Sequence, residues 1–230
     1  MPILELPMTS DSPGNVQNEK LYHHGDLRTA LLRATAELLD ENGVDKFTLR
    51  ACARRAGVSH AAPAHHFGDT QGLLTAYATA GFEHLAEDMA QGKNHSHGNV
   101  LLALHAVGMA YIRFAVSHPS QFDLMFRSRL INTADTDYQR AAQRTFAHLQ
   151  AALADLDNRA SIHAQEFQVR CQLAWSAVHG VSALTLDAGL SAARAGLGVD
   201  IETQASELLR QLLPSLLPPS GGPAVPPVGP

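Results

Sequence analysis

The chain is short of cysteine and of charge, and each shortage narrows what it can be. Its two cysteines, Cys52 and Cys171, lie far apart and form no CxxC spacing. That excludes a disulfide-stapled scaffold and predicts two reduced, unpaired thiols. Charged residues make up only 17%, with a net charge of −5, so charge alone names no partner. No stretch approaches the roughly 20 consecutive apolar residues that a membrane-spanning helix needs. Residues 1–17 carry Glu5 and Asp11 and no basic cluster ahead of an apolar run, unlike a secretory signal. A cytoplasmic chain with no membrane partner is expected.

Catalytic signatures are missing too. There is no nucleophile elbow, phosphate-cradling glycine loop, dinucleotide fingerprint or pair of carboxylates at catalytic spacing. Ser, His and Asp occur throughout, but nothing orders them into a triad. The chain is therefore read as no enzyme, with no catalytic residue and no cofactor. Thirteen histidines raise the question of a metal. The only close pairings are His163 with Glu166 and His95 with His97. A metal site needs three or four converging donors, so none is assigned.

What is present is a helical pattern. Apolar residues reach 45% of 230 residues, enough for a sizeable core in one or two domains. No alternating Val/Ile/Thr run suggests a strand, and the fold class is all-α. Residues 1–20 and the Pro/Gly-rich stretch 217–230 have no apolar period and are expected to be disordered tails. Segment 20–70 carries seven bases against six acids, whereas 1–19 and 71–230 each have a net charge of −3.

A first helix is predicted from Asp26, as cap, to Gly43, with Leu27, Leu31 and Leu38 on one face. Thr48 caps a second, with Leu49, Cys52, Ala53 and Ala56 inward and Arg50 and Arg54 outward. Gly57 ends it in the left-handed conformation. Ser59 is expected to cap a short third helix running to Phe67, with Pro63 tolerated in its first turn. Asp69 caps a fourth helix of about twenty residues. Two helices joined by a tight Ala-Gly-Val-Ser turn make a helix-turn-helix, although glycine-turned hairpins also occur in proteins that touch no nucleic acid. Further helices are predicted at 98–117, 119–130, 134–156, 162–189 and 201–215. The segment Phe167 to Leu190 is apolar on two faces, so one side suits its own domain and the other a partner subunit. The helix at 201–215 is its natural companion in a four-helix dimer contact.

The stretch YHHGDLRTALLRATAELLDENGVDKFTLRACARRAGVSHAAPAHHFGDTQGLL, residues 22–74, resembles the DNA-binding domain of TetR-family regulators. AWSAVHGVSALTLDAGL (174–190) and HPSQFDLMF (118–126) are similar to the branch of that family with a Trp-His-Gly type of ligand-binding domain. The resemblance implies a homodimer that places two recognition helices in successive major grooves of an operator. It also implies repression relieved by a small-molecule effector. The implied organisation is a helix-turn-helix domain at 21–68 and a helical ligand-binding and dimerisation domain at 69–216, with 69–92 as linking helix. Two positions depart from the family pattern: Ala64 stands where a tyrosine is usual, and Thr70 where a lysine is. Losing both removes two phosphate anchors per subunit and predicts weaker DNA affinity, unless Arg28, Lys46, Arg50 or Arg54 compensates.

Candidate DNA contacts follow. His60, Ala61 and Ala62 are placed in the first turn of the recognition helix, facing base edges. Thr48, Arg50, Ser59 and Thr70 suit phosphates. His65 and His66 are assigned to the backbone or groove wall, where the pair can add positive charge under mild acid. For the effector, His105, Met109, Phe122, Phe126, Trp175 and His179 are the candidate pocket residues, Trp175 and His179 sharing a helix face four residues apart. The same aromatic residues also fit a plain core. A second reading therefore stands beside the regulator: a dimeric helical ligand-binding or adaptor protein with weakened DNA binding.

Overall fold

The computed structural model of the chain describes residues 24–94, 96, 99–157, 164–187 and 200–213. The expected tails at 1–20 and 217–230 lie outside these residues, as do His95, His97 and His163. Every regular element among the described residues is helical. Helix α1 is His24–Asn42, followed by a single 3-10 turn, Val44–Lys46. Helices α2 (Leu49–Ala56) and α3 (Ala62–Phe67) complete the N-terminal unit. Then come α4 (Thr70–Asn94), α5 (Val100–Ser117), α6 (Pro119–Met125), α7 (Thr136–Asp157), α8 (Ala164–Leu186) and α9 (Ile201–Leu212).

Local chemistry sets most of these boundaries. The Thr48 hydroxyl accepts from the Ala51 amide at 3.1 Å, and Asn99 Oδ1 accepts from the Leu102 amide at 3.1 Å. The Asp135 carboxylate accepts from the amides of Asp137 and Tyr138, each at 3.0 Å, and Asp200 accepts from Thr203 at 2.9 Å. Two boundaries differ from expectation. Helix α1 already runs through Asp26, so that residue lies inside it rather than capping it. Helix α6 stops at Met125 instead of continuing to 130. The Met125 carbonyl takes the Tyr138 hydroxyl at 2.9 Å, and the chain turns through bonds such as Arg127 N–H to Leu124 O.

Helix α4 is the axis of the molecule. Leu74, Ala78, Phe82, Leu85 and Met89 follow each other at three- and four-residue steps and are all buried. Leu73 and Tyr77 are buried as well, so the helix has to be covered on more than one side. It packs against α5, α6 and α7 along its length and against α1 and α3 at its N-terminal end. Three hydrogen bonds tie it to the C-terminal helices. Gln121 donates to the Tyr77 carbonyl at 2.8 Å, Thr145 to the Phe82 carbonyl at 2.9 Å, and the Asn132 amide to the Thr75 hydroxyl at 2.8 Å.

The N-terminal unit has its own core of Leu31, Ala34, Leu38 and Leu39 on α1 against Cys52 and Ala53 on α2. On its outer edge Arg55 donates to Glu41 through both terminal nitrogens, at 2.9 and 2.6 Å, and to Glu37 at 3.1 Å. Those bonds hold the Glu41 carboxyl below its ordinary range and fix α2 on α1. Burial pushes the Cys52 thiol up, which keeps it protonated and unreactive.

Candidate functional site

Two surfaces carry the candidate chemistry, one at the N-terminal end of α4 and one beside Phe82 at its middle. At the N-terminal end, α2 closes on Gly57 at φ 69°, with the Val58 amide donating to the Ala53 carbonyl at 3.0 Å. The connection to α3 differs from the sequence expectation. Pro63 has no N–H to offer the Ser59 carbonyl, so the Ala62 amide takes it at 3.0 Å and closes a turn over 59–62. Helix α3 therefore begins at Ala62, with no side-chain cap, and Ser59 does not cap it. His60 and Ala61 sit in that lead-in turn, just ahead of the helix rather than in its first turn.

The turn and the outer face of α3 are open. Ser59, His60, Ala61, Ala64 and His65 are exposed, and Ala62 is half-buried. Thr48 and Arg50, at the start of α2, are exposed as well. Arg55 is engaged with α1, which leaves Arg50 and Arg54 as the cations that α2 presents outward. Thr70 is half-buried at the head of α4.

His66 is exposed too and borders a second surface. It meets Phe67 edge-on at 4.7 Å and lines a polar cleft of about 340 Å³ between the two halves of the molecule. Arg28 of α1 lines the same cleft from the N-terminal side. Asn132, Asp135 and Asp137 line it from the loop ahead of α7 and that helix's first turn.

Beside the middle of α4, aromatic side chains from five helices meet. Tyr111 of α5, only 1% exposed, shares a hydrogen bond of 2.9 Å with His179 Nδ1 on α8. Trp175 lies 5.3 Å from the Tyr111 ring, edge to face, and Phe126 lies 4.6 Å from the His179 ring. Two cavities flank this cluster. One, of about 460 Å³, is lined by Phe122, Phe126 and His179 together with Asp123, Asp187 and Ser120. The other, of about 320 Å³, is walled by Phe82, Phe126, Tyr138, Phe146 and Trp175, with Gln172 at its edge. Phe126, 37% exposed, belongs to both.

Four of the six sequence-derived pocket residues thus converge: Phe122, Phe126, Trp175 and His179. Two do not. His105 Nε2 is hydrogen-bonded to the Ser206 hydroxyl at 3.0 Å, where α9 packs on α5. Met109 is 3% exposed and belongs to the core. Sequence reasoning missed Tyr111, Tyr138 and Phe82. Their signal, an aromatic every few residues along an apolar helix, is the same for a core position and for a cavity wall. Among the described residues no group of three or more His, Cys, Asp and Glu is placed to hold a metal, and no single helix is long and apolar enough to cross a membrane.

Burial holds the His179 imidazole below its ordinary value of 6.5. His148 shifts the same way, through burial first and then the nearby charges of Arg144 and Lys93. Their folded-state values lie below the unfolded ones, so the unfolded chain binds protons more tightly. Stability is then full above about pH 6.5 and is lost as pH falls through the folded-state values. The melting temperature is expected to fall between about pH 7.5 and pH 5.5, and His179→Gln should flatten that slope. A slope unchanged by the substitution removes His179 from the account.

Comparison with known proteins covers both halves. Residues 31–77 match the family model described as bacterial regulatory proteins, tetR family, and residues 104–212 match the tetracyclin repressor-like C-terminal domain. The HTH-type transcriptional regulator BetI of Stenotrophomonas maltophilia (strain R551-3) is 39% identical over 64 residues, 28% of this chain. The match spans only a third (33%) of that curated relative's length. A solved structure of a Rhodococcus sp. RHA1 protein of unknown function is 27% identical, covering 87% of this chain and all (100%) of that one, with a TM-score of 0.72. The TetR family transcriptional regulator PfmR from Thermus thermophilus shares the fold at 17% identity and a TM-score of 0.61, over 80% of this chain and 96% of that one.

Proposed function

We infer the function from one premise: the chain belongs to the tetR family of bacterial regulatory proteins. It is a DNA-binding transcriptional regulator, and the observation that carries this reading is the open helix-turn-helix at the head of α4. The DNA-binding unit is residues 21–68, the sensing and dimerising unit is 69–216, and α4 links the two. The protein works in the cytoplasm as a homodimer that represses from a near-palindromic operator and leaves it when a small effector binds. Trp175, His179 and Gly180 support the Trp-His-Gly branch of the family.

The dimer face proposed is the outer side of α8 and α9. Val169, Leu173 and Leu184 lie on one stripe of α8, and Leu173 and Leu184 are each 55% exposed. Gly180 falls on that stripe with open space in front of it, where a partner helix can come close. Ile201 and Leu208 continue the apolar face on α9.

Response to an effector runs through α4. Its lower half forms one wall of the aromatic cluster, through Phe82, and its first turn abuts α3. A ligand that shifts α6 or α7 therefore shifts α4 through Gln121 and Thr145, and the cleft beside His66 leaves room for the N-terminal unit to follow. A second reading, a helical ligand-binding protein that grips DNA weakly, is kept by Ala64, which offers no hydroxyl where α3 faces outward.

One experiment separates these readings: fluorescence anisotropy on DNA selected from a random library, titrated with salt. Saturable binding to a near-palindrome is expected. Arg50→Ala with His60→Ala should weaken it roughly 10- to 100-fold, at about 1–3 kcal/mol for each base edge no longer recognised. The log–log salt slope should drop by about 0.9 for each phosphate no longer neutralised. Binding that is blind to sequence and vanishes at moderate salt would favour the second reading.

A further inference from the structure

The cavity of about 320 Å³ between α4, α7 and α8 differs from the one beside His179 and from the interdomain cleft in one respect: no charged side chain lines it. Its walls are five aromatic side chains, the Ala142 methyl group and the Gln172 amide. Tyr138 adds little polarity, because its hydroxyl donates to the Met125 carbonyl at 2.9 Å and burial keeps it protonated. Gln172 is exposed at the edge, and its amide has no hydrogen-bond partner among the described residues. It is the one polar side chain of this lining left for a ligand.

The polar groups of the neighbouring cavity are already engaged. Asp123 accepts from Arg127 at 2.7 Å, Asp187 has a partner of its own, and His179 keeps its Nδ1 on the Tyr111 hydroxyl. Selection of a ligand therefore falls to the cavity without charge. An ion moved into it from water would lose hydration and find no counter-charge, whereas a neutral apolar body would gain contact and lose little. A second subunit seated on the Leu173 stripe would leave the cavity open. At 3.6 residues per turn, Gln172 and Trp175 lie about 100° and about 160° round α8 from Leu173.

We propose that the effector is a compact, uncharged and mainly apolar molecule, its body among Phe82, Phe146 and Trp175 and its single neutral hydrogen-bonding group on Gln172. The proposal rests on the reading of this domain as an effector sensor. The volume stands near the lower end of the roughly 300–1,000 Å³ usual for small-molecule sites, which favours a small ring-bearing compound. A hydroxyl, a carbonyl or an amide satisfies Gln172, whose side chain both donates and accepts. Gln172 is then the specificity-determining residue, since it alone distinguishes a ligand with a polar group from plain hydrocarbon.

The chain has a single tryptophan, and it lines this cavity, so its emission reports on occupancy. The test is a titration of the full-length protein with four probes of similar shape: butylbenzene, phenylpropionamide, phenylpropionate and phenylpropylammonium. Trp175 emission and the melting temperature are read together. The amide should bind about tenfold more tightly than either ion. Gln172→Leu should cost the amide roughly two- to tenfold and leave butylbenzene unchanged. Ala142→Leu, which fills the cavity from α7, should weaken the amide and butylbenzene alike. Either ion binding as tightly as the amide overturns the charge assignment and leaves the sensor reading standing. An amide untouched by Gln172→Leu overturns the role of that residue, and one untouched by Ala142→Leu overturns the site. If no probe changes either signal, the sensor reading fails at this cavity and the proposal with it.

Discussion

Gly72→Ala is expected to cost the proposed regulator its DNA binding while leaving the C-terminal helices folded. Gly72 sits in the first turn of α4, where its amide donates to the Asp69 carboxylate at 2.8 Å. A methyl group added there would collide with the Phe67 carbonyl oxygen, and the carbonyl carbon would lie 3.2 Å away. Phe67 is the last residue of α3, and Gly68 turns the chain at φ 82° into Asp69 and α4. The obstacle is backbone at the end of α3, so α3 has to move to admit the methyl group. Overpacking of this kind costs about 1–3 kcal/mol, and each 1.4 kcal/mol drawn from the DNA-binding geometry is about a tenfold loss of affinity. Gly81→Ala is the control. Its methyl group meets side-chain atoms of Met125 and Gln121 on α6, so the cost falls on the packing of α4 against α6 and not on α3, and a smaller effect on DNA binding is expected. Anisotropy on the selected operator measures the loss, and unchanged Trp175 emission verifies that the second domain still folds. Operator binding at wild-type strength by Gly72→Ala would mean that the α3–α4 junction is looser than the structure has it.

The second large effect is on stability. Tyr111→Ala removes a ring that is 1% exposed and touches both Trp175 and Phe122 edge-on. Truncating a buried aromatic costs about 3–5 kcal/mol, a large part of the roughly 5–15 kcal/mol that separates folded from unfolded domains. Tyr111→Phe keeps the ring and takes away only the partner of His179 Nδ1. Losing that part-buried hydrogen bond costs about 0.5–1.5 kcal/mol. The two variants should therefore melt at clearly different temperatures, with Tyr111→Ala lower and its Trp175 emission shifted toward that of a solvated indole. Equal melting temperatures would show that the ring contributes nothing beyond its hydroxyl.

Much of the fold was legible residue by residue. Thr48 and Asp69 cap helices as their side chains predict, and Gly57 ends α2 in the left-handed conformation that only glycine adopts without strain. The Pro119 boundary and the apolar face of α1 follow from equally local rules. Ser59 shows where such rules fail. A good capping residue lost its place because Pro63, four residues on, has no N–H, and a turn closed by Ala62 came first. The early end of α6 has a longer-range cause. Tyr138, thirteen residues beyond Met125, takes the carbonyl at the helix end.

The site was legible only in part, for a related reason. Trp175 and His179 were placed on one helix face by their four-residue spacing, which geometry within one helix guarantees. His105 looked equivalent, a polar ring on an apolar helix, yet it binds Ser206 on α9. His65 and His66 are adjacent and both exposed, yet only His66 lines the cleft between the two halves. By itself the sequence determined which segments are helical, the caps at Thr48 and Asp69, the helix-turn-helix and the apolar stripe on α8, because each of these depends on chemistry within a few residues. Only the tertiary structure decided that Tyr111 would hold His179, that Phe126 would divide two cavities, and that Asp123 and Asp187 would share one of them. Those pairings depend on the angle and depth at which helices cross, and the helical repeat of about 3.6 residues carries no information about either.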